Sequence, residues 1–281
     1  MTLAGWLAAL SLGLLTGVLS GLVGIGGGAV MVPFLYFFIA HPELSGAYVL
    51  PHEQAVVAHA TSLLVIVPIS LRGAWLYSRA GLVEWNAVWR MGLAAIPAAI
   101  LGARIAVLVP GGLLKLAFGI FLVVVATQLV FGKMRTDVDL TDSWSIGHTG
   151  RALIGGVAVG LFSALLGVGG GLVAIPVLMY WLHVPLRKVS GTSLALITFT
   201  ALTGVIAYAV SGVLRTHGGP LSYFHLPAAA ALAVGALVAV PLGTRAQMRL
   251  PTHTLRWLFA ALFFLLGLRI VVTNLISLLG R

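Results

Sequence analysis

A segment near the start of the chain, residues 17–35, recurs at residues 160–178. The two copies read GVLSGLVGIGGGAVMVPFL and GLFSALLGVGGGLVAIPVL, and both hold Gly-X-Gly-Gly-Gly followed by a proline. Glycine leaves the backbone free to adopt conformations that end a helix. Two helix interruptions at matched positions of two halves are the sequence feature that best points to a transport site in a membrane protein.

We call Gly24–Gly28 the first glycine break and Gly167–Gly171 the second glycine break. The helix after each break would present free N–H groups and the positive end of its dipole, and two such ends near the membrane centre would form an anion site. The alternative is close helix packing by small residues. The candidate binding residues at the breaks are Gly24, Gly26, Gly27, Gly28, Gly167, Gly169, Gly170 and Gly171.

The composition assigns the chain to the membrane. Of the 281 residues, 60% are hydrophobic and 8% are charged, and the mean hydropathy is +1.11. Apolar runs long enough to cross a hydrocarbon core of roughly 30 Å recur along the chain. The first of them, Leu3–Val23, has no basic segment before it and no cleavage site, so it is expected to be a retained span. We therefore predict an all-α polytopic membrane protein.

The apolar segments divide the chain into a first repeat (residues 1–132), a polar linker (133–151) and a second repeat (152–281). The second segment of each repeat is short and is predicted to cross the membrane only in part. We expect five segments in each repeat: Leu3–Val23, Ala29–Ala40, Ala55–Trp75, Ala87–Val109 and Leu113–Phe131, then Ala152–Leu166, Leu172–Leu182, Val189–Ser211, Leu226–Met248 and His253–Leu279.

An odd number of crossings in each repeat would make the two repeats inverted. With both termini outside, this arrangement places most of the 16 Lys and Arg residues on the inner face, as the positive-inside rule requires. If each broken pair of segments counted as one crossing, the charges would spread more evenly and the repeats would be parallel. Two inverted repeats are therefore the predicted fold.

Two Thr-Ser pairs occupy matched positions in the third segments, Thr61-Ser62 and Thr192-Ser193. Their hydroxyls can donate hydrogen bonds to an anion without adding charge. They are candidate substrate ligands, and the alternative is a bond to a carbonyl of their own helix.

Arg104 and Arg245 also match between the repeats and lie a turn inside the predicted helix ends. Arginine binds sulfonate, phosphate or carboxylate groups with two parallel hydrogen bonds, so both residues are candidate substrate ligands. Extension of the side chains to the lipid headgroups is the alternative.

His59 is the histidine best placed to titrate within the membrane and is the candidate for proton coupling. Its counterpart is Ser190, and the alternative is a neutral packing role.

Other residue types exclude several classes of protein. The six acidic residues lie outside the apolar segments or at their ends, which argues against a cation carrier and favours an anionic or neutral substrate. The chain has no cysteine, its histidines lack metal-site spacing, and neither glycine run is a nucleotide-binding loop, so no metal or cofactor is expected. The net charge of +10 is explained by basic residues that contact anionic lipid headgroups and set the orientation in the membrane, rather than by nucleic-acid binding.

The paired G-x-G-G-G-x-x-x-x-P elements, at 24–33 and 167–176, resemble those of the TauE/SafE sulfite exporter family, also called the toluene-sulfonate uptake permeases. The Thr-Ser pairs and the matched Gly-x-Arg elements, Gly102-Ala103-Arg104 and Gly243-Thr244-Arg245, extend the resemblance over nearly the whole chain. It implies transport of sulfite and small organosulfur anions across the bacterial inner membrane, often outward.

The sequence thus predicts a secondary transporter of such anions, not an enzyme, that works by alternating access at a site between the breaks. An anion channel, a carboxylate carrier, an intramembrane enzyme and a structural subunit are the alternatives. Membrane lipids are expected partners, and a homodimer is left open.

Overall fold

The computed structural model describes residues 1–131, 146–216 and 221–249, together with residues 257, 261, 264–265 and 267–273. Within these ranges the chain is helical and forms no strand. The helices are α1 (Leu3–Val23), α2 (Gly28–Ala40), α3 (Pro42–Ser45), α4 (Gln54–Arg79), α5 (Trp85–Leu108), α6 (Gly111–Phe131), α7 (Ile146–Leu165), α8 (Gly171–Pro176, continued by a π-helical turn over Val177–Trp181), α9 (Leu186–Thr216) and α10 (Leu226–Gln247).

Six of these described helices, α1, α4, α5, α6, α9 and α10, are long and apolar enough to span a membrane. The prediction of an all-α polytopic membrane protein is confirmed. Two short apolar helices follow the glycine breaks, Gly28–Ala40 and Gly171–Trp181, close to the predicted bounds. α7 begins at Ile146, inside the predicted linker, and the predicted last segment falls mostly outside the described residues.

The first helix of each half packs on the helix of the fourth predicted segment of the other half. α1 packs against α10 and α7 packs against α5. A Cβ added at Gly17 would lie 2.7 Å from the Cα of Ala236, and one added at Gly160 would lie 2.7 Å from the Cα of Ala95. Glycine therefore allows both helix pairs to approach to backbone contact. Gly17 matches Gly160 in the repeat, and Ala236 matches Ala95. The two contacts are therefore equivalent, with the roles of the two halves exchanged.

The third helices of the two halves, α4 and α9, pack against each other. Gly73 lies opposite Leu194 and Gly204 lies opposite Leu63. Residue numbers rise along one helix as they fall along the other, so α4 and α9 are antiparallel. These two contacts also exchange between the halves, which gives the helical frame an approximate two-fold symmetry.

Candidate functional site at the two glycine breaks

The glycine breaks are sharp interruptions because their backbones turn into the left-handed region, where side chains other than glycine are strained. Gly24 ends α1 and donates its N–H to the carbonyl of Ser20, at 2.8 Å. All eight candidate glycines are buried. Six of them have positive φ angles: Gly24 (82°), Gly26 (75°), Gly27 (81°), Gly167 (66°), Gly169 (78°) and Gly170 (84°).

The structure brings the two breaks into contact. A Cβ at Gly28 would lie 2.6 Å from the Cα of Val168, and a Cβ at Gly171 would lie 2.6 Å from the Cα of Ile25. Each break therefore packs on the first residue of the short helix that follows the other break. Only glycine at these positions leaves room for that approach.

Ile66 from α4 and Ile197 from α9 close the meeting point of the breaks. Both side chains lie within 3.5 Å of the Cβ positions of Gly26 and Gly169. Because the repeat pairs Ile66 with Ile197 and Gly26 with Gly169, this point lies on the approximate two-fold axis. The predicted glycine residues thus form one buried cluster at the centre of the helical frame.

The first turn of α2 contains backbone N–H groups that have no acceptor within the helix. The N–H groups of Val30 and Met31 both bond to the carbonyl of Gly27, at 3.1 Å each. The N–H groups of Gly28 and Ala29 come before these bonds and so have no acceptor within the helix.

The threonines of the Thr-Ser pairs hold helix ends together. Thr61 Oγ1 accepts a hydrogen bond from the backbone N–H of His225, at 2.9 Å. Thr192 Oγ1 accepts one from the N–H of Glu84, at 2.9 Å, and donates to the carbonyl of Lys188, at 2.7 Å. Both accepted bonds come from the residue just before α10 or α5. The structure therefore gives both threonine oxygens an internal donor, and the Thr192 hydroxyl an internal acceptor as well.

The serines of the same pairs differ from each other. Ser193 donates its hydroxyl to the carbonyl of Gly24, at 2.7 Å. Ser62 is fully buried, and its hydroxyl has no hydrogen-bond partner in the described structure. The same holds for Ser20 and Ser163, the serines in the last turns of α1 and α7. Sequence reasoning passed over these last two, although their identity in the two repeat copies was a usable signal.

Two tyrosines that match between the repeats, but were not predicted as site residues, also bond to the helix ends at the breaks. Tyr77 donates its hydroxyl to the carbonyl of Gly21, at 2.7 Å, and Tyr208 donates to that of Ala164, at 2.8 Å. The bonds join matched positions of the two halves. They satisfy carbonyl groups that the ends of α1 and α7 leave without an intrahelical donor.

Arg104 and Arg245 lie away from the buried cluster. Both side chains are exposed on the outer surfaces of α5 and α10. In a membrane such positions allow the guanidinium groups to extend to the headgroup region. Direct binding of substrate by these arginines stays a prediction.

His59 lies against the second glycine break and joins three elements. A Cβ at Gly167 would lie 3.0 Å from its Cγ. Its Nδ1 is 3.0 Å from the carbonyl oxygen of Leu165, and its Nε2 forms a hydrogen bond with the hydroxyl of Tyr36. Because a carbonyl only accepts, Nδ1 carries the proton and Nε2 accepts from the tyrosine. A cation is near this chain of bonds, since Lys115 Nζ lies 5.4 Å from the centre of the Tyr36 ring.

Charged and metal-ligating groups are sparse around the breaks. Among the described residues no three His, Cys, Asp or Glu side chains come together as a possible metal site. An ion pair joins Lys188 Nζ to Glu84 Oε2 at 3.0 Å, at the adjoining ends of α9 and α5. The described acids Glu43, Glu53 and Glu84 all lie outside the six spanning helices.

A multi-pass helical protein whose two similar halves meet at buried helix breaks has the architecture typical of a secondary membrane transporter. The sequence matches the model of the family described as sulfite exporter TauE/SafE over residues 9–270. The chain therefore belongs to the TauE/SafE family.

Named relatives agree with this class. The chain is 25% identical to the probable membrane transporter protein YunE of Bacillus subtilis, over 95% of this chain and 97% of that protein. It is 25% identical to a probable membrane transporter protein of Methanocaldococcus jannaschii, over 91% of each chain, and 27% identical to one of Haemophilus influenzae, over 90% and 93%. No solved structure matches the chain. The protein is thus a multi-pass membrane transporter, as the sequence predicted, and not an enzyme.

Proposed function

We propose that this transporter exports sulfite-type or small organosulfur anions across the bacterial inner membrane by alternating access. The observation that carries the proposal is the buried contact of the two glycine breaks, one from each half, on the two-fold axis of the frame. In this interpretation the structure is the occluded step of the cycle, and separation of the breaks on either side exposes the site. The antiparallel packing of α4 and α9 supports inverted halves that rock against each other.

The chemistry of the centre supports an anion as substrate. The spare N–H groups of α2 and the buried serine hydroxyls can donate hydrogen bonds, and the described acids stay outside the spans. The name of the family supports sulfite as one member of the substrate class. An inside-negative membrane potential assists the exit of an anion by about 2.3 kcal/mol per charge per 100 mV, so export needs no other driving ion.

Flux measurements with the purified protein in liposomes test the proposal. We expect saturable movement of sulfite and sulfoacetate, with counter-transport when the anion is present on both sides. Movement without saturation or counter-transport would instead indicate a channel. Movement of acetate alone among the anions offered would indicate a carboxylate carrier, and no movement of any of them would exclude the proposed substrate class.

Proton-coupled uptake is a second candidate function, and the contact of His59 with Gly167 favours it. Nε2 can take a proton if the Tyr36 hydroxyl turns away from it. In that case a pH gradient imposed at zero membrane potential should drive anion flux in the unmodified protein and should not drive it in His59→Gln. Anion flux that does not depend on the pH gradient in either protein would mean that His59 has only a structural role, and would favour uncoupled export.

A further inference from the structure

We infer that the transported anion is bound by three serine hydroxyls, Ser20, Ser62 and Ser163, and that Ser62 makes the second glycine break the stronger binding side. This inference rests on the proposed anion transport. The three side chains are fully buried. Each hydroxyl has no hydrogen-bond partner in the described structure, although buried polar groups in proteins are nearly always paired. A ligand that arrives between the breaks would supply the missing partner.

Ser20 and Ser163 occupy the same position relative to the two breaks. The backbone carbonyl of Ser20 accepts a hydrogen bond from the N–H of Gly24, at 2.8 Å. The backbone carbonyl of Ser163 accepts one from the N–H of Val168, at 3.2 Å. The Cβ of Ser163 lies 3.1 Å from the position that a Cβ at Gly170 would take. These two serines therefore lie at the ends of α1 and α7, next to the breaks, with one on each side of the two-fold axis.

Ser62 is placed by its neighbours on α4. Residues three and four apart share a face of a helix, so Ser62 lies between His59 and Ile66 on one face. His59 packs on Gly167 and Ile66 packs on Gly169. The face that carries Ser62 therefore covers the second glycine break at Gly167 and the point where the two breaks meet.

The counterpart of Ser62 shows why the two breaks differ. Ser193 covers the first glycine break and bonds to the carbonyl of Gly24. The repeat places Gly167 in the same relation to Ser62, but Ser62 makes no such bond. The second break also has His59 where the first has Ser190. The Gly24 carbonyl of the first break thus has a serine donor, whereas in the second break the hydroxyl of Thr200 donates to the Gly169 carbonyl instead, at 2.9 Å. The Ser62 hydroxyl is left for a ligand.

The free groups suit an oxyanion. Sulfite and sulfonate oxygens accept hydrogen bonds, and each serine hydroxyl can donate one without adding charge. His59 offers no donor, since its Nδ1 proton is bonded to Leu165. Lys115, beside the Tyr36 ring, supplies positive charge near this side of the site.

The test compares serine-to-alanine variants in sulfite and sulfoacetate flux and in thermal unfolding. In Ser62→Ala we expect the KM to rise about tenfold, the loss of roughly 1.4 kcal/mol of binding, while the unfolding temperature stays equal or rises because no internal bond is lost. Ser163→Ala should raise the KM in the same direction. Ser211→Ala is the control, because that buried hydroxyl bonds to the carbonyl of Ala207 in its own helix; its KM should not change.

The outcomes separate this inference from the proposed function. If the unmodified protein moves neither anion, the proposed function fails. If it moves them and both Ser62→Ala and Ser163→Ala keep the unmodified KM, the transport stands and the serine site is overturned, with the hydroxyls then bonded to carbonyls of their own helices. Ser193→Ala should lower the unfolding temperature, because the Gly24 carbonyl loses its donor.

Discussion

Gly26→Ala is expected to stop most of the transport while the protein still folds. The methyl group would lie 3.3 Å from the Cγ2 atoms of Ile66 and Ile197, at the point where the two breaks meet. Overpacking of this kind costs about 1–3 kcal/mol. If this cost is added to the barrier for passing through the occluded state, the turnover rate should fall by about tenfold or more, since each 1.36 kcal/mol of barrier is a factor of ten.

Gly81→Ala is the matched control for Gly26→Ala. Both glycines have a left-handed backbone, with φ of 69° at Gly81 and 75° at Gly26, but a Cβ at Gly81 meets nothing within 4 Å. Gly81→Ala should therefore lose about 1–2 kcal/mol of stability from the backbone strain alone, whereas Gly26→Ala should lose that amount together with the overpacking cost. Sulfite flux per folded molecule should fall only in Gly26→Ala. Equal flux in the two variants would mean that the meeting point of the breaks is not part of the transport cycle.

Gly160→Ala is expected to produce the largest loss of stability. The added Cβ would fall directly on the carbonyl group of Ala95, with the carbonyl carbon only 2.7 Å away. Backbone atoms cannot rotate aside as a side chain can, so α7 and α5 must separate. We expect the free energy of unfolding to fall by about 3 kcal/mol, at the upper end of overpacking costs. Thermal unfolding in detergent measures the change.

Gly150→Ala provides the comparison on the same helix. Its Cβ would meet nothing within 4 Å, and alanine stabilises a helix over glycine by about 1 kcal/mol. The unfolding temperature should therefore rise slightly in Gly150→Ala and fall strongly in Gly160→Ala. Similar temperatures in the two variants would contradict the close approach of α7 and α5.

The sequence predicted the elements of this fold better than their packing. The bounds of α1, Leu3–Val23, agree with the prediction because an uninterrupted apolar run ends at a glycine with a left-handed backbone. The short helices after the breaks were found for the same reason. The pairing of α1 with α10 was not predicted, because the glycines that allow it face a partner more than 200 residues away in the sequence.

The candidate site shows a similar division. Matched positions directed attention to the glycine breaks, whose residues form one buried cluster. Matching could not tell which hydroxyls have internal partners: Thr61 and Thr192 hold helix ends, whereas Ser62 is free. That distinction depends on the atoms that lie opposite each hydroxyl. These atoms come from distant parts of the chain.

The exchanged contacts of α1 with α10 and of α7 with α5 have a consequence for the origin of the molecule. One half carries both surfaces of this contact, so two copies of a single half could build the same frame as an isologous homodimer. Joining the two copies into one chain would then allow each copy to diverge. Two such differences are His59 at the position that Ser190 takes in the other half, and Ser62 left free where Ser193 is bonded. A dimer of two identical halves could not hold them.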